Sequence, residues 1–387
     1  MFNFNTTPNL VIGEGSIKEL DSILGRLGIS KPLIITGPNI SKTSIFTEVQ
    51  KHMVYVAGVY NQVQAEPPVS CVHEAVEIAT EVRADGIVAI GGGSPLDVAK
   101  IVAILADFND PWFGKREIDS LWGVGNVVNN GLPLVAIPTT SGSGSEVTPV
   151  SILTTGETTK MGVVSPKIIP NAAILEPAFT VSCSPQLTAY SAIDAIVHAI
   201  EAYTSINPNN NPYSKLIAME ACRWLGKSIK TAILEPENIE ARANVQYGAM
   251  LAGQAFGNSP VAAVHALAYP LGGHFKLPHG LTNTLVLPGV LAYNQKNTDY
   301  SALAAALFPH DQGEIFYHRS DEVEVICRNI KELAELAGIE TQMRYHGISR
   351  DYIPILAKEA MKQTRLLVNN PREITRKVAE DIYLKVL

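Results

Sequence analysis

Cysteine is scarce and scattered: Cys71, Cys183, Cys222 and Cys327 show no CxxC spacing. Neither a disulfide framework nor a thiolate zinc site is indicated. Charge is thin as well, with Asp, Glu, Lys and Arg at 17% of residues, a net charge of −7 and no cluster of Lys and Arg. Such a chain presents no basic face, so nucleic acid and anionic membrane are not expected partners. Internal repeats and low-complexity tracts are missing, which excludes a repeat architecture. Uninterrupted apolar runs are missing too. The uncharged stretch from Tyr247 to Pro270 is broken by Gln254, Asn258, Ser259, Pro260 and His265, so it reads as buried helix rather than membrane span. The opening MFNFNTTPNLVIGEG has neither the basic nor the apolar region of a secretory signal, and a cytoplasmic location is expected.

What is present is enough apolar material for more than one core: 46% hydrophobic residues in a chain of 387 make two domains the natural expectation. In the first half, short β-rich runs alternate with helical stretches. LVI (10–12), PLIIT (32–36), MVYVAGV (53–59), GIVAI (86–90) and PLVAI (133–137) are strand candidates, and VHEAVEIATEVRA (72–84) is an amphipathic helix. That alternation predicts a parallel sheet covered by helices, with its ligand beyond the carboxyl ends of the strands. SILTT (151–155) and MGVVS (161–165) around GETTK read as a hairpin, and AAILEP (172–177) closes the sheet region. Past TVSCSPQL (180–187) no convincing strand follows, and 187–204, 212–232, 238–256, 260–272, 321–338 and 373–386 carry helical periods. NPNNNP (207–212) and LFPHDQGE (307–314) read as polar loops. The expected boundary puts an α/β domain at 1–182 and an all-α domain at 183–387.

GIVAI runs directly into GGGSPLDVAKIVAIL (91–105), a strand, a glycine turn and a helix. Glycines such as Gly92 and Gly93 let backbone approach a diphosphate, Ser94 is placed to cap the helix, and the first helical amides face the anion. On pattern alone, a purely structural strand-to-helix turn explains these residues equally well. No Gly-Lys-Ser/Thr follows, so this is not a Walker loop. IPTTSGSGSEVT (137–148), rich in small hydroxyl residues, follows PLVAI. A serine-glycine linker is the alternative, but a free linker seldom abuts a buried strand.

The stretch from Ser191 to Gly280 holds the most specific chemistry. Asp194 and His198 stand four apart in a helical pattern and so share a face. His265 lies in another alanine-rich helical pattern, and His279 sits between Pro278 and Gly280, where a helix is expected to stop. A lone histidine in an apolar helix is usually a hydrogen-bonded core residue. A carboxylate in the same apolar turn, costly to bury without a cation or strong hydrogen bonds, tips the reading toward a divalent metal held by all four.

These motifs together, D-x-x-x-H, the later V-H and P-H-G, GGGSPLDVAK and IPTTSGSGSEVT, resemble the iron-containing (group III) alcohol dehydrogenases over nearly the whole chain. The resemblance implies a Rossmann-like dinucleotide-binding domain followed by an all-α metal-binding domain. It implies Asp194, His198, His265 and His279 as ligands to Fe(II), sometimes Zn(II), with NADP or NAD as the hydride carrier. Gly92, Gly93, Ser94 and Asp97 would then lie by the dinucleotide, and Thr139, Thr140, Ser143 and Thr148 would line its diphosphate and nicotinamide. Lys160 would reach the nicotinamide ribose. Where members of the family often carry an aspartate that repels a 2′-phosphate, this chain has Gly37, with Asn39, Ser41 and Lys42 just beyond, so NADP(H) is expected to be accepted. The implied reaction is reversible hydride transfer between nicotinamide and a small-molecule alcohol or aldehyde, in a cleft between the domains of a homodimer or higher homo-oligomer.

One departure stands out. Many members have a histidine four residues after the V-H ligand as proton relay, and here that residue is Tyr269. A phenol titrates far above neutrality, so either Tyr269 acts as a hydrogen-bond donor or His274 takes the relay. The branch resembling hydroxyacid-oxoacid transhydrogenase also carries tyrosine there. That reading, and a catalytically silent metal- and nucleotide-binding homologue, are the alternatives.

Overall fold

The computed structural model describes residues 1–156, 159–309 and 321–387. It divides into two compact units, Asn5–Thr180 and Val181–Leu387, the latter including Met1–Phe4.

The first unit is built on a six-stranded sheet in the order β1-β9-β6-β4-β2-β3, parallel at every pairing. Its strands are β1 Asn9–Ile12, β2 Pro32–Thr36, β3 Gly58–Tyr60, β4 Gly86–Gly91, β6 Leu134–Pro138 and β9 Ala172–Leu175. Helices α1 Leu20–Arg26, α2 Ser44–Lys51, α3 Val69–Glu81 and α4 Gly93–Leu105 alternate with them. The runs PLIIT, GIVAIG, LVAIP and AAIL are buried throughout, as strands covered on both faces must be. Leu33, Ile34 and Ile35 are wholly inaccessible, and each such side chain contributes roughly 1.5–3 kcal/mol. A second sheet, β5 Gly123–Val124, β8 Thr159–Val164 and β7 Val150–Thr155, contains the expected hairpin as the antiparallel pair β7/β8. Residues 157–158 of its GETTK turn lie outside the described residues.

One strand expectation changes. MVYVAGV yields only Gly58–Tyr60, because β3 is an edge strand paired through three residues with β2, while Val54 and Tyr55 are exposed. AAILEP forms the last strand among the described residues, as expected, and as β9 it lies between β1 and β6.

Every long helix expected in the second unit is present: α5 Pro185–Thr204, α6 Pro212–Leu234, α7 Ile239–Asn258 and α8 Ala263–Phe275, then α11 Asp321–Leu336 and α14 Arg376–Val386. Not anticipated were α9 His279–Asn294, α10 Ser301–Leu307, α12 Ile353–Ala360 and α13 Thr364–Leu367. Most of the LFPHDQGE loop lies outside the described residues. No helix among the described residues is long and apolar enough to cross a membrane.

The helix stop expected at His279 is a start. Helix α8 ends at Phe275 with Lys276 in the left-handed region (φ 56°), and Pro278 leads into α9 at His279. Gly280 is needed for packing instead: a Cβ there would stand 2.1 Å from the Tyr190 carbonyl oxygen, so α9 touches the backbone of α5. That contact sets His279 beside the ligands α5 carries.

Candidate metal centre and dinucleotide turn

Helix α5 begins with Ser184 accepting the Leu187 N–H and Pro185 in its first turn, a favoured helix start. From this buried helix Asp194 and His198 project on one face, His265 enters from the first turn of α8, and His279 opens α9. One ligand atom from each lies within 4.8 Å of all the others. The Nε2 atoms of His198, His265 and His279 stand 3.8, 3.7 and 3.6 Å from Asp194 Oδ1. Two ligands each ~2.1 Å from one ion are at most ~4.2 Å apart, so these pairs can share an ion, and the widest separation must close by roughly half an ångström. The His198 ring is packed between Phe256 and His265, at centroid distances of 4.2 and 4.8 Å.

The donor chemistry fits a cation. Asp194 is 5% exposed. Burial works to raise its carboxyl, but His198, His279, His265 and the Asn283 amide outweigh it and hold the group below its usual value. The Asn283 Nδ2 donates to Asp194 Oδ1 at 2.5 Å and lies 3.3 and 3.4 Å from Nε2 of His265 and His279. A single neutral amide donor thus sits against nitrogen and oxygen atoms that converge from three helices. The sequence reading passed over Asn283, and also Glu201, whose carboxylate contacts His265 Nδ1 at 2.6 Å. Glu201 was findable, since it continues the face of Asp194 and His198 at the next helical interval.

The two relay candidates separate. The Tyr269 ring is 5.8 Å from that of His279, whereas His274 is exposed near the end of α8.

In the first unit, the segments flagged for the dinucleotide leave the carboxyl ends of three neighbouring strands. Gly37 follows β2, Gly91–Gly93 end β4 and open α4, and Thr139 follows β6, its N–H donating to the Gly91 carbonyl at 2.9 Å. Gly91 has φ 148°, a value suited to glycine. A Cβ at Gly92 would stand 3.1 Å from Thr140 Oγ1, and one at Gly93 3.0 Å from the Ser143 Cβ. Gly92, Gly93, Thr140 and Ser143 therefore pack as one surface. Ser94 lies inside α4 rather than capping it; the N-cap is Gly92, and no side chain caps the helix. The first-turn amides are thereby left to an anion.

Asp97 and Thr148 are engaged from within. Ser145 Oγ donates to Asp97 Oδ1 at 2.5 Å and the Ile152 N–H to Oδ2 at 2.9 Å, while Thr148 Oγ1 accepts from Lys100 Nζ at 3.1 Å. Burial raises the Asp97 carboxyl, and pushes Glu146 up to about 7 and Lys100 down to about 8. Lys160 pairs with Glu66 at 2.5 Å.

Comparison with known proteins agrees with this geometry. A family model described as "Iron-containing alcohol dehydrogenase" matches residues 7–177, and one described as "Fe-containing alcohol dehydrogenase family, C-terminal" matches 188–387. The chain is 36% identical to long-chain-alcohol dehydrogenase 1 of Geobacillus thermodenitrificans, covering 96% of this chain and 93% of that one. It is 32% identical to the NAD-dependent methanol dehydrogenase of Bacillus methanolicus, covering 97% of each. The solved alcohol dehydrogenase from Oenococcus oeni superimposes with a TM-score of 0.91 at 28% identity, over all of both chains.

Proposed function

The chain belongs to the iron-containing alcohol dehydrogenase family and is an oxidoreductase of it; from that premise we propose that Asp194, His198, His265 and His279 hold its Fe(II), or Zn(II), and that its substrate is a small primary alcohol or the matching aldehyde. The observation that carries the reading is the convergence of those four ligand atoms. A bound divalent metal supplies Lewis acidity, drawing charge from a carbonyl oxygen or lowering an alcohol's pKa. The three imidazoles and one carboxylate would hold the ion, with Asp194, His198 and His265 buried and the His279 side chain 31% exposed. Near His279, the Tyr269 phenol offers a hydrogen bond rather than a proton shuttle at neutral pH. The relatives described above are dehydrogenases, and neither the transhydrogenase nor the silent homologue gains support from them.

The dinucleotide's phosphates belong, on this proposal, at the amides of Gly93 and Ser94, against Thr140 and Ser143. The cytoplasm is the proposed location, in keeping with four cysteines that form no disulfide. A panel of aldehydes tests the function: protein loaded with Fe(II) or Zn(II) is expected to oxidise free NADPH or NADH with a single aldehyde present. Dependence on a hydroxyacid and an oxoacid added together would reject it.

NADP(H) acceptance rests on Gly37. It follows β2 directly, and the short 3-10 turn Ile40–Lys42 comes next, with Ser41 Oγ turned back to the Pro38 carbonyl at 3.1 Å. Gly37→Asp brings a carboxylate to the strand end, its Cβ 3.2 Å from the Val63 carbonyl oxygen, close enough to require a small local shift. The ratio of kcat/KM for NADPH over NADH is expected to fall by about tenfold or more, the order of one unfavourable charge contact of ~1.4 kcal/mol. An unchanged ratio would put the ribose elsewhere.

A further inference from the structure

We propose that Glu201 is the positioning residue that makes His265 a ligand, by keeping the ring proton on Nδ1 and so turning the Nε2 lone pair toward the cation. The inference rests on the ligand set proposed above. Asp194, His198 and Glu201 follow one another at intervals of four and three on α5, which places all three on the same face. Glu201 is 3% exposed, and both of its oxygens are occupied. Oε1 accepts the Val264 N–H at 2.6 Å, and Oε2 lies 2.6 Å from His265 Nδ1. With both carboxylate oxygens placed as acceptors, one for the Val264 N–H and one for the ring, the Nδ1 nitrogen donates and Nε2, 3.7 Å from Asp194 Oδ1, carries the free electron pair.

The same carboxylate does a second thing. Val264 is the second residue of α8, and no side chain caps that helix at its N-cap residue, Ala262. By accepting the Val264 N–H, Glu201 satisfies one of the amides left open there and anchors the backbone from which His265 projects. Ring proton and backbone are held by one rigid group on α5, the helix that also carries two other ligands. Partners of this kind typically change metal affinity 10–100-fold.

Glu201→Gln keeps the volume but replaces one acceptor with an amide donor. If the remaining oxygen takes the Val264 N–H, the amide must donate to Nδ1, which moves the ring proton to Nε2 and blocks ligation. Competition titration of the metal-free full chain with Zn(II) is expected to show at least tenfold weaker binding, with unchanged helix content and NADPH affinity. A smaller loss overturns the proposal. Action through His265 has its own readout: in a His265→Ala background, adding Glu201→Gln should change Zn(II) affinity by less than about twofold, and a repeat of the full loss overturns the inference. Should Glu201→Gln not fold, Glu201→Asp stands in for it, with at least threefold weakening expected and unchanged affinity overturning. Asp194→Ala is run beside them. If that variant keeps parental Zn(II) affinity, the ligand set itself fails; if it loses metal while Glu201→Gln does not, only the role of Glu201 falls.

Discussion

Asp194→Ala is expected to release the metal and abolish turnover while leaving dinucleotide affinity within about twofold of the parent. Asp194 is the sole carboxylate of the proposed ligand set, and its Oδ1 is the atom from which all three imidazole nitrogens are measured at 3.6–3.8 Å. Removing it leaves three neutral donors to hold a divalent ion, and the Asn283 amide loses its 2.5 Å acceptor. Loss of an outer partner alone typically weakens metal binding 10–100-fold, so loss of a direct charged ligand should exceed about 100-fold. Lewis-acid assistance is worth several kcal/mol, which corresponds to a fall in kcat of about 10³ or more. Metal content after dialysis, NADPH binding by fluorescence and aldehyde reduction measure the three quantities separately. The glycine turn and its hydroxyl-rich neighbour belong to Asn5–Thr180, whereas Asp194 belongs to the other unit, and this is why nucleotide binding should survive. Full metal content and activity in this variant would end the assignment.

The parts of this protein that could be read from its sequence are those whose residue pattern is set by a single physical demand. PLIIT, GIVAI, PLVAI and AAIL are continuous apolar runs because a doubly covered parallel strand buries both faces. The spacing of Asp194 and His198 follows from the helical period. Legibility failed where one residue type serves two purposes. Gly280 looked like a helix stop, but it is small so that α9 can rest on the Tyr190 backbone, and His279 consequently begins a helix rather than ending one. NPNNNP is the polar loop its composition suggests, but composition does not show what its side chains bind. Its asparagines satisfy neighbouring backbone: Asn210 Nδ2 donates to the Ala202 and Ser205 carbonyls, Asn209 Nδ2 to that of Asn258, and Asn211 caps α6 by accepting the Ser214 N–H. Asn283 was harder still, because it acquires meaning only when α9 is brought against α5 and its amide meets Asp194, whereas Glu201 already shared the helical face of Asp194 and His198. Ser94 was read as a cap from its type alone, while the turn uses Gly92 there.

Lys100→Met should destabilise the nucleotide-binding unit by about 3–5 kcal/mol, the usual consequence of removing one partner from a buried ionic network. Lys100 is wholly inaccessible, and its ammonium spends three hydrogens on Ser145 Oγ at 2.8 Å, Thr148 Oγ1 at 3.1 Å and the Val150 carbonyl at 2.6 Å. These bonds tie α4, just beyond the glycine turn, to the end of IPTTSGSGSEVT and the start of β7. Asp97 Oδ1 is 3.8 Å from the same nitrogen and Glu146 is 4% exposed; methionine fills the volume but leaves both carboxyls without the cation. In a unit of this size each kcal/mol moves Tm by roughly 2–4 °C, so a fall of about 6–20 °C is expected, together with weaker dinucleotide binding and unaltered Zn(II) affinity. The pH dependence has a definite sign. Burial lowers the Lys100 pKa from 10.5 to about 8, so between those values the unfolded chain holds the proton that the folded one has released. Stability of the parent therefore rises with pH through that window relative to Lys100→Met, which lacks the group, with a slope of up to about 1.4 kcal/mol per pH unit. The stability gap between the two proteins should widen from pH 8 to pH 10 in urea titrations. A gap that stays flat or narrows would mean that burial does not depress the Lys100 pKa in the folded protein.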